Sequence, residues 1–123
     1  MTPKEVVQKG YEYFAPGDMT GMRSIMDENA TVTNNGMHKF SKTYKGADSF
    51  INDFIAHIPS HFGNLRVEPV KMIAEEEYVF VMSRATTDRM EADFGHFFKI
   101  ENEKITEFHI FDDSQKLAAT MKA

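Results

Sequence analysis

Residues 91–113, EADFGHFFKIENEKITEFHIFDD, predict two strands joined by a short polar turn. Apolar and polar side chains alternate over Glu91–Glu101 and again over Lys104–Phe111, which is the period of a half-buried β-strand. The turn is too short for the long crossover that parallel neighbours need, so the two strands are expected to pair antiparallel. The carboxyl-terminal part of the chain is therefore predicted to be a β-hairpin.

Two further alternating segments precede this hairpin, at Val67–Ile73 and Tyr78–Thr87. The polar link EEE connects them, the polar link TDR connects the second segment to the hairpin, and both favour further antiparallel pairing. An additional short strand is expected over Ala30–Asn34, because Thr-Val-Thr in its centre suits a pleated, half-buried surface. The chain therefore predicts one short strand followed by a four-stranded meander.

Three helices are predicted before the meander. Thr2-Pro3-Lys4-Glu5 combines a capping box with proline at the first helical position. Pro16-Gly17 ends that helix, and Asp18 can cap a second one. The third helix follows Gly46, and Pro59 is expected to stop it. Helices followed by an antiparallel sheet form an α+β pattern, here as a single domain over residues 1–123.

The composition excludes several classes of function. The 123 residues include no cysteine, which rules out disulfides, thiolate nucleophiles and cysteine-based zinc sites. The net charge of −5 argues against nucleic acid as a partner, and no apolar run is long enough for a membrane span. No cofactor motif is present, and His57 and His61 lack a third metal ligand at a recognised spacing. The amino terminus lacks a signal-peptide pattern, so a cytoplasmic location is expected.

Two segments carry a resemblance to a known superfamily. VVQKGYEYFAPGDMTGMRSIMDENATVTNN, residues 6–35, resembles the opening of ketosteroid isomerases and SnoaL-like polyketide cyclases, which belong to the nuclear transport factor 2-like superfamily. FGHFFKIENEKITEFHIFDDSQKL, residues 94–117, resembles the last hairpin of that superfamily. The resemblance implies a cone-shaped α+β barrel of the cystatin-like type, with three amino-terminal helices packed on a curved antiparallel sheet around a ligand cavity.

The same resemblance indicates that the catalytic groups of the steroid isomerases are missing. Those enzymes use an aspartate base with a tyrosine and a protonated aspartate as oxyanion donors. The tyrosine position corresponds to Gly10, the base to Asn34 and the second aspartate to Gly95. The resemblance therefore does not extend to steroid isomerisation, and whether the chain is an enzyme stays open.

Asp112 is the first catalytic candidate. Strand alternation places it on one face with Phe108 and Ile110, and the resemblance turns this face toward the cone. A carboxylate beside an aromatic-lined cavity can act as a general acid or base. The alternative is that Asp112-Asp113-Ser114 caps the final helix, and the two aspartates can also divide these roles.

Two more residues are candidates for the site. Asn34 offers an amide donor and acceptor but cannot abstract a proton, and the alternative is a turn asparagine before Asn35-Gly36. Tyr13 can supply a phenolic donor, and the alternative is a core tyrosine whose hydroxyl reaches the surface. The other residues expected to line the pocket are Gly10, Phe14, Phe54, Gly95, Phe97, Phe108 and Ile110.

The sequence leaves three functions open. The first is a pocket for a small hydrophobic ligand, with acid/base chemistry on a carbonyl compound. The second is a non-catalytic ligand-binding pocket, and the third is a dimerisation or interaction module. A homodimer through the convex sheet face is expected, because Phe98 and Phe111 are placed on that face together with His96 and His109.

Overall fold

The first two helices begin at the caps that the sequence predicts. The computed structural model of the chain describes residues 1–122. Helix α1, Pro3–Phe14, has the complete capping box, in which the Thr2 side chain accepts from the Glu5 N–H and the Glu5 side chain accepts from the Thr2 N–H. Helix α2, Met19–Ser24, starts where the Asp18 side chain accepts from the Gly21 N–H.

The third helical segment is divided into shorter pieces. It consists of helix α3 (Ala47–Asp53), a tighter helical turn (Ile55–His57) and helix α4 (Ile58–Phe62). The prediction that Pro59 ends this segment is wrong. The break lies at Phe54, and Pro59 occupies the first turn of α4, where its missing N–H costs no helical hydrogen bond.

Six strands form one mixed sheet in the order β2-β1-β6-β5-β4-β3. The strands are β1 (Met26–Asn34), β2 (Thr43–Lys45), β3 (Arg66–Glu75), β4 (Tyr78–Thr86), β5 (Glu91–Glu101) and β6 (Lys104–Phe111). The predicted α+β class is confirmed, but the sheet is not wholly antiparallel, because β1 pairs parallel with β6. Helix α5, Ser114–Thr120, follows β6.

The register between β5 and β6 overturns the predicted facing of β5. Phe98 lies opposite Phe108, and His96 lies opposite Ile110. Since directly opposed residues share a face of the sheet, His96 and Phe98 point inward with Phe108. The predictions that Gly95 and Phe97 face the cavity are therefore wrong, as is the placement of His96 and Phe98 on the convex face.

A bulge in β6 causes this reversal. The turn residues Asn102 and Glu103 both have positive φ, and they pair Ile100 with Ile105. The register then shifts by one residue in β6, so that Lys99 opposes Glu107 and Thr106 is the extra residue. Without that insertion, strict alternation places Phe97 opposite Phe108, which is the predicted facing.

The helices cover the inner face of the sheet, and the core lies between the two layers. Val6 and Val7 of α1 are almost completely buried, as are Val79 and Val81 of β4. On β1 the inward positions are Ala30, Val32 and Asn34. Within residues 1–122, no helix has the length and apolar character needed to cross a membrane.

Candidate functional site

A cavity lies between the inner face of the sheet and the helices. Its free volume is about 100 Å³. Aromatic and aliphatic side chains form most of the lining, and the polar side chains that border it come from Tyr11, His96 and Asp112. The cavity is thus an apolar space with a small number of polar groups, which is typical of a small-molecule site.

A surface depression adjoins the cavity near the end of α1. It has a volume of about 250 Å³ and is bordered by residues 14–19 and by the segment from Ile55 to Leu65. Four side chains line both this depression and the cavity, namely Phe14, Ile55, Ile58 and Leu65. These four side chains therefore lie between the cavity and the surface depression.

Five of the seven residues predicted to line the pocket do line the cavity, and the two on β5 do not. The cavity lining includes Gly10, Phe14, Phe54, Phe108 and Ile110. Gly95 and Phe97 instead lie on the outer face of β5. A Cβ atom at Gly95 would lie 3.2 Å from Cζ of Phe80, because the Phe80 ring lies across this glycine on the convex face.

Asp112 lies at the end of β6 and borders the cavity. Its Oδ2 is 2.9 Å from Nε2 of His38, and each of these side chains exposes only 1% of its surface. Its Oδ1 accepts a hydrogen bond from the Ser114 hydroxyl. Asp113, rather than Asp112, caps α5 by accepting from the Lys116 N–H. The two aspartates therefore have separate positions, one beside the cavity and one at the helix end.

The backbone fixes the tautomer of His38. Its Nδ1 lies 3.1 Å from the backbone nitrogen of Phe40 and accepts that N–H. The ring proton is therefore on Nε2, which donates to Asp112. The backbone of Asp112 is held in turn by Asn35, whose Oδ1 accepts the Asp112 N–H at 3.0 Å. The carboxylate is held on both sides and is oriented before any ligand binds.

Asn34 lies on the inner face of β1, opposite Ile110 of the parallel strand β6. The residue exposes only 3% of its surface, and neither side-chain amide atom has a hydrogen-bond partner. A buried polar group without a partner costs about 1–3 kcal/mol. Asn34 is not among the residues that line the cavity, although its neighbour Ile110 is, so the buried amide has a cost in stability and no contact with the cavity.

A second polar cluster lies between α1 and the inner face of strands β4 and β5. The Tyr11 hydroxyl is 2.5 Å from Nδ1 of His96 and 3.2 Å from Oγ of Ser83. Burial raises the pKa of Tyr11, and the hydrogen bond with Ser83 partly opposes this shift. Burial also lowers the pKa of His96 to about 4, so the imidazole is neutral near neutral pH.

Tyr11 takes the place that the sequence analysis gives to Tyr13. Tyr13 is absent from the cavity lining, and its ring packs so closely on Gly21 that a Cβ atom there would collide with it. Tyr11 lies four residues after Val7 and three before Phe14, both of which line the cavity. This helical spacing is a signal in the sequence that identifies Tyr11 as an inward residue.

The histidines at the end of the helical segment do not form a metal site. His61 is buried, and its Nδ1 is 2.8 Å from the carbonyl oxygen of Lys122. Among residues 1–122, no three His, Asp or Glu side chains are grouped in a way that could hold a metal ion.

Comparison with known protein families identifies the family to which this chain belongs. The SnoaL-like domain model matches residues 7–108, which include the cavity-lining parts of α1 and β5 and the first part of β6, whereas Ile110 and Asp112 follow the matched segment. The chain belongs to the SnoaL-like domain family. This SnoaL-like domain has no match among curated proteins.

Solved structures share the fold of this SnoaL-like domain. A nuclear transport factor 2-like protein of unknown function from Burkholderia pseudomallei is 23% identical, with a TM-score of 0.87 and complete coverage of both chains. TerC, co-crystallized with polyporic acid, is 23% identical with a TM-score of 0.83, covering 97% of this chain and 98% of its own. A protein described as a SnoaL-like polyketide cyclase from Jannaschia is 17% identical with a TM-score of 0.82, covering 98% and 92%. The nuclear transport factor 2-like fold is thus confirmed.

Proposed function

We propose that this SnoaL-like domain binds a small, uncharged carbonyl compound in its cavity and that Asp112 transfers a proton on the bound molecule. The observation that carries the proposal is the buried carboxylate beside an apolar cavity, oriented by His38 and Ser114. The family and the similarity to a SnoaL-like polyketide cyclase support a carbonyl compound as the ligand, and TerC, which shares the fold, was co-crystallized with polyporic acid, a small organic molecule.

The carboxylate retains capacity for chemistry despite its two protein partners. A carboxylate has about four lone-pair sites, and the bonds from His38 and Ser114 use one on each oxygen. A remaining lone pair can take a proton from the carbon next to the ligand carbonyl. The C–H bond breaks, its electron pair forms the enolate, and Asp112 becomes the carboxylic acid. The acid then returns its proton to carbon, or the enolate carbon attacks a second carbonyl of the same molecule and the new alkoxide takes the proton.

The cavity limits the size and charge of the ligand. A free volume of about 100 Å³ fits a compact molecule, and larger ligands require movement of flexible lining residues such as Met22 and Met26. A second negative charge close to Asp112 is unfavourable in an apolar interior, where charges are weakly screened. Neutral ketones are therefore the preferred class.

Proton exchange tests this proposal without knowledge of the natural substrate. The protein is incubated in deuterium oxide with cyclopentanone, cyclohexanone or acetophenone, and loss of the proton signal next to the carbonyl is followed by NMR. General base catalysis predicts exchange faster than in buffer by roughly a hundredfold or more for at least one ketone. Exchange at the buffer rate for all three ketones contradicts the catalytic proposal.

Non-catalytic ligand binding is the second candidate. It is favoured by the fact that both oxygens of Asp112 already have protein partners, which also suits a carboxylate that only shapes the cavity wall. In that case the ketones shift the NMR signals of cavity residues such as Phe108 but undergo no catalysed exchange. Binding and exchange measured on the same samples thus separate the two functions.

We also propose a homodimer through the convex sheet face. Phe80, Met82 and Phe111 are exposed there by 38%, 51% and 48%, and Phe97 lies between them on β5. Charged pairs border this apolar surface, with Arg84 bonded to Asp93 at one end. A second copy of the chain is the occupant, because a two-fold interface places the same apolar surface on both subunits.

A further inference from the structure

His96 has one ring nitrogen engaged by the protein and one that is not. Nδ1 faces two hydroxyl groups, with Tyr11 at 2.5 Å and Ser83 at 3.4 Å, while Tyr11 and Ser83 are 3.2 Å apart. Nε2 has no hydrogen bond with residues 1–122. The neutral ring carries a single proton, and its location decides what the cavity wall offers to a ligand.

The hydroxyl groups select between the two tautomers. If Nδ1 is unprotonated, the Tyr11 hydroxyl donates to it and the Ser83 hydroxyl donates to the Tyr11 oxygen, so both hydroxyl protons have acceptors. If Nδ1 carries the proton, it donates to the Tyr11 oxygen, Tyr11 donates to Ser83, and the Ser83 proton has no acceptor. Each arrangement leaves one donor without a protein partner: the Nε2–H in the first and the hydroxyl proton of Ser83, which is completely buried, in the second. The Nε2–H can be accepted by a ligand or water in the cavity that His96 lines, whereas the enclosed Ser83 proton cannot, so the first arrangement is favoured and places the ring proton on Nε2.

Nε2 borders the cavity. Within residues 1–122, the two amide atoms of Asn34 are the only fully enclosed side-chain nitrogen or oxygen atoms without a partner. Since Nε2 of His96 has no protein partner, it contacts free space, and the free space beside His96 is the cavity. The rings of Phe94, Phe98 and Phe108 pack edge-on against the imidazole.

We infer that the Nε2–H of His96 is the hydrogen-bond donor of the cavity wall and binds a neutral acceptor oxygen of the ligand. The acceptor class is a ketone or enol oxygen, because a carboxylate would place a second negative charge in the cavity that Asp112 already borders. This inference rests on the proposed function for its ligand, but the tautomer of His96 is a property of the free protein. Burial, which lowers the pKa of His96 to about 4, keeps the ring neutral as this role requires.

NMR of the free protein tests the tautomer. With isotope-labelled histidine, the nitrogen shifts and their couplings to ring protons distinguish a protonated from an unprotonated ring nitrogen. The expected spectrum at neutral pH has His96 with protonated Nε2 and unprotonated Nδ1. The reverse assignment overturns the inference, because the cavity wall then offers an acceptor.

A pair of matched probes tests recognition. Cyclohexanone and methylenecyclohexane have the same shape and differ in C=O against C=CH₂. Their affinities are measured by NMR titration for the natural protein, for His96→Phe and for the outer-face control His109→Phe. The preference for the ketone over the alkene is expected to fall about tenfold in His96→Phe and to stay unchanged in His109→Phe.

The outcomes separate the inference from the proposed function. An unchanged preference in His96→Phe overturns the role of His96 even if both probes bind. Failure of both probes to bind the natural protein contradicts the proposed function, and the nitrogen shifts then decide the donor by themselves. If His96→Phe does not fold, the decision rests on the same shifts and on whether cyclohexanone, but not methylenecyclohexane, moves the Nε2–H signal of the natural protein.

Discussion

The imidazole of His38 donates from Nε2 to the carboxylate of Asp112 at 2.9 Å, across 74 residues of sequence. Both side chains are almost completely buried. The contact joins the irregular segment after β1 to the end of β6 and orients the carboxylate beside the cavity. Since His38 receives the Phe40 N–H at its other nitrogen, its position does not depend on a ligand.

Removal of this imidazole is expected to destabilise the fold. His38→Ala leaves a buried carboxylate without its main donor, and we expect the free energy of unfolding to fall by about 1–3 kcal/mol. The measurement is urea unfolding followed by circular dichroism. His57→Ala is the matched control, because His57 is exposed and its loss is expected to cost less. Equal effects of the two substitutions contradict a structural role for the contact.

Replacement of Asn34 is expected to stabilise the fold, in contrast to the replacement of His38. Asn34→Leu keeps the number and branching of the side-chain heavy atoms and removes two buried polar atoms without partners, so the free energy of unfolding is expected to rise by about 1 kcal/mol. Asn29→Leu, at an exposed position of the same strand, is the control and is expected to change stability little. A less stable Asn34→Leu protein indicates that the amide has a partner in solution, against our description of the site.

Stability is expected to depend on pH through His96. Its pKa is about 4 in the folded protein against 6.5 as the ordinary value, so the unfolded chain binds more protons between these values. Stability is therefore unaffected by this group above about pH 6.5 and falls as pH decreases toward 4, by about 3 kcal/mol in total. Unfolding curves at several pH values, compared with His96→Phe, isolate this group. An identical pH dependence of stability in the natural protein and in His96→Phe would contradict the predicted contribution of His96.

The convex face is expected to form a dimer interface. The natural chain is expected to be a dimer at micromolar concentration, whereas Phe80→Glu combined with Phe111→Glu places charges in the proposed interface and is expected to give monomers in light scattering. Met37→Glu is the control, since Met37 is 98% exposed and lies outside this sheet face. A monomeric natural chain, or a dimer that tolerates the double substitution, rules out this interface.

Local signals in the sequence predict much of the fold. The capping box at Thr2 and the cap at Asp18 start helices where predicted, and alternation locates β4, β5 and β6. These features depend on residues close together in the chain. The facing of β5 is mispredicted because it depends on the bulge at Thr106, and nothing in the local alternation of β5 reports an insertion in its partner strand.

The candidate site is predicted only in part for the same reason. The position of Asp112 follows from alternation on β6, but its partner His38 lies in an irregular segment without periodicity. The cluster of Tyr11, Ser83 and His96 brings together α1, β4 and β5, and its assembly depends on the register between strands. Contacts between residues so far apart in the sequence can be identified only from the three-dimensional structure.

The most direct test of the central claim compares two neighbouring aspartates. Asp112→Asn keeps the shape of the side chain and removes the proposed base, whereas Asp113→Asn changes the helix cap, a position that asparagine also fills well. The measurement is the rate of deuterium exchange next to the carbonyl of the ketone that the natural protein exchanges fastest. We predict that Asp112→Asn lowers this rate by roughly a hundredfold or more and that Asp113→Asn leaves it within about twofold. Equal rates in the two variants would contradict the assignment of Asp112 as the base.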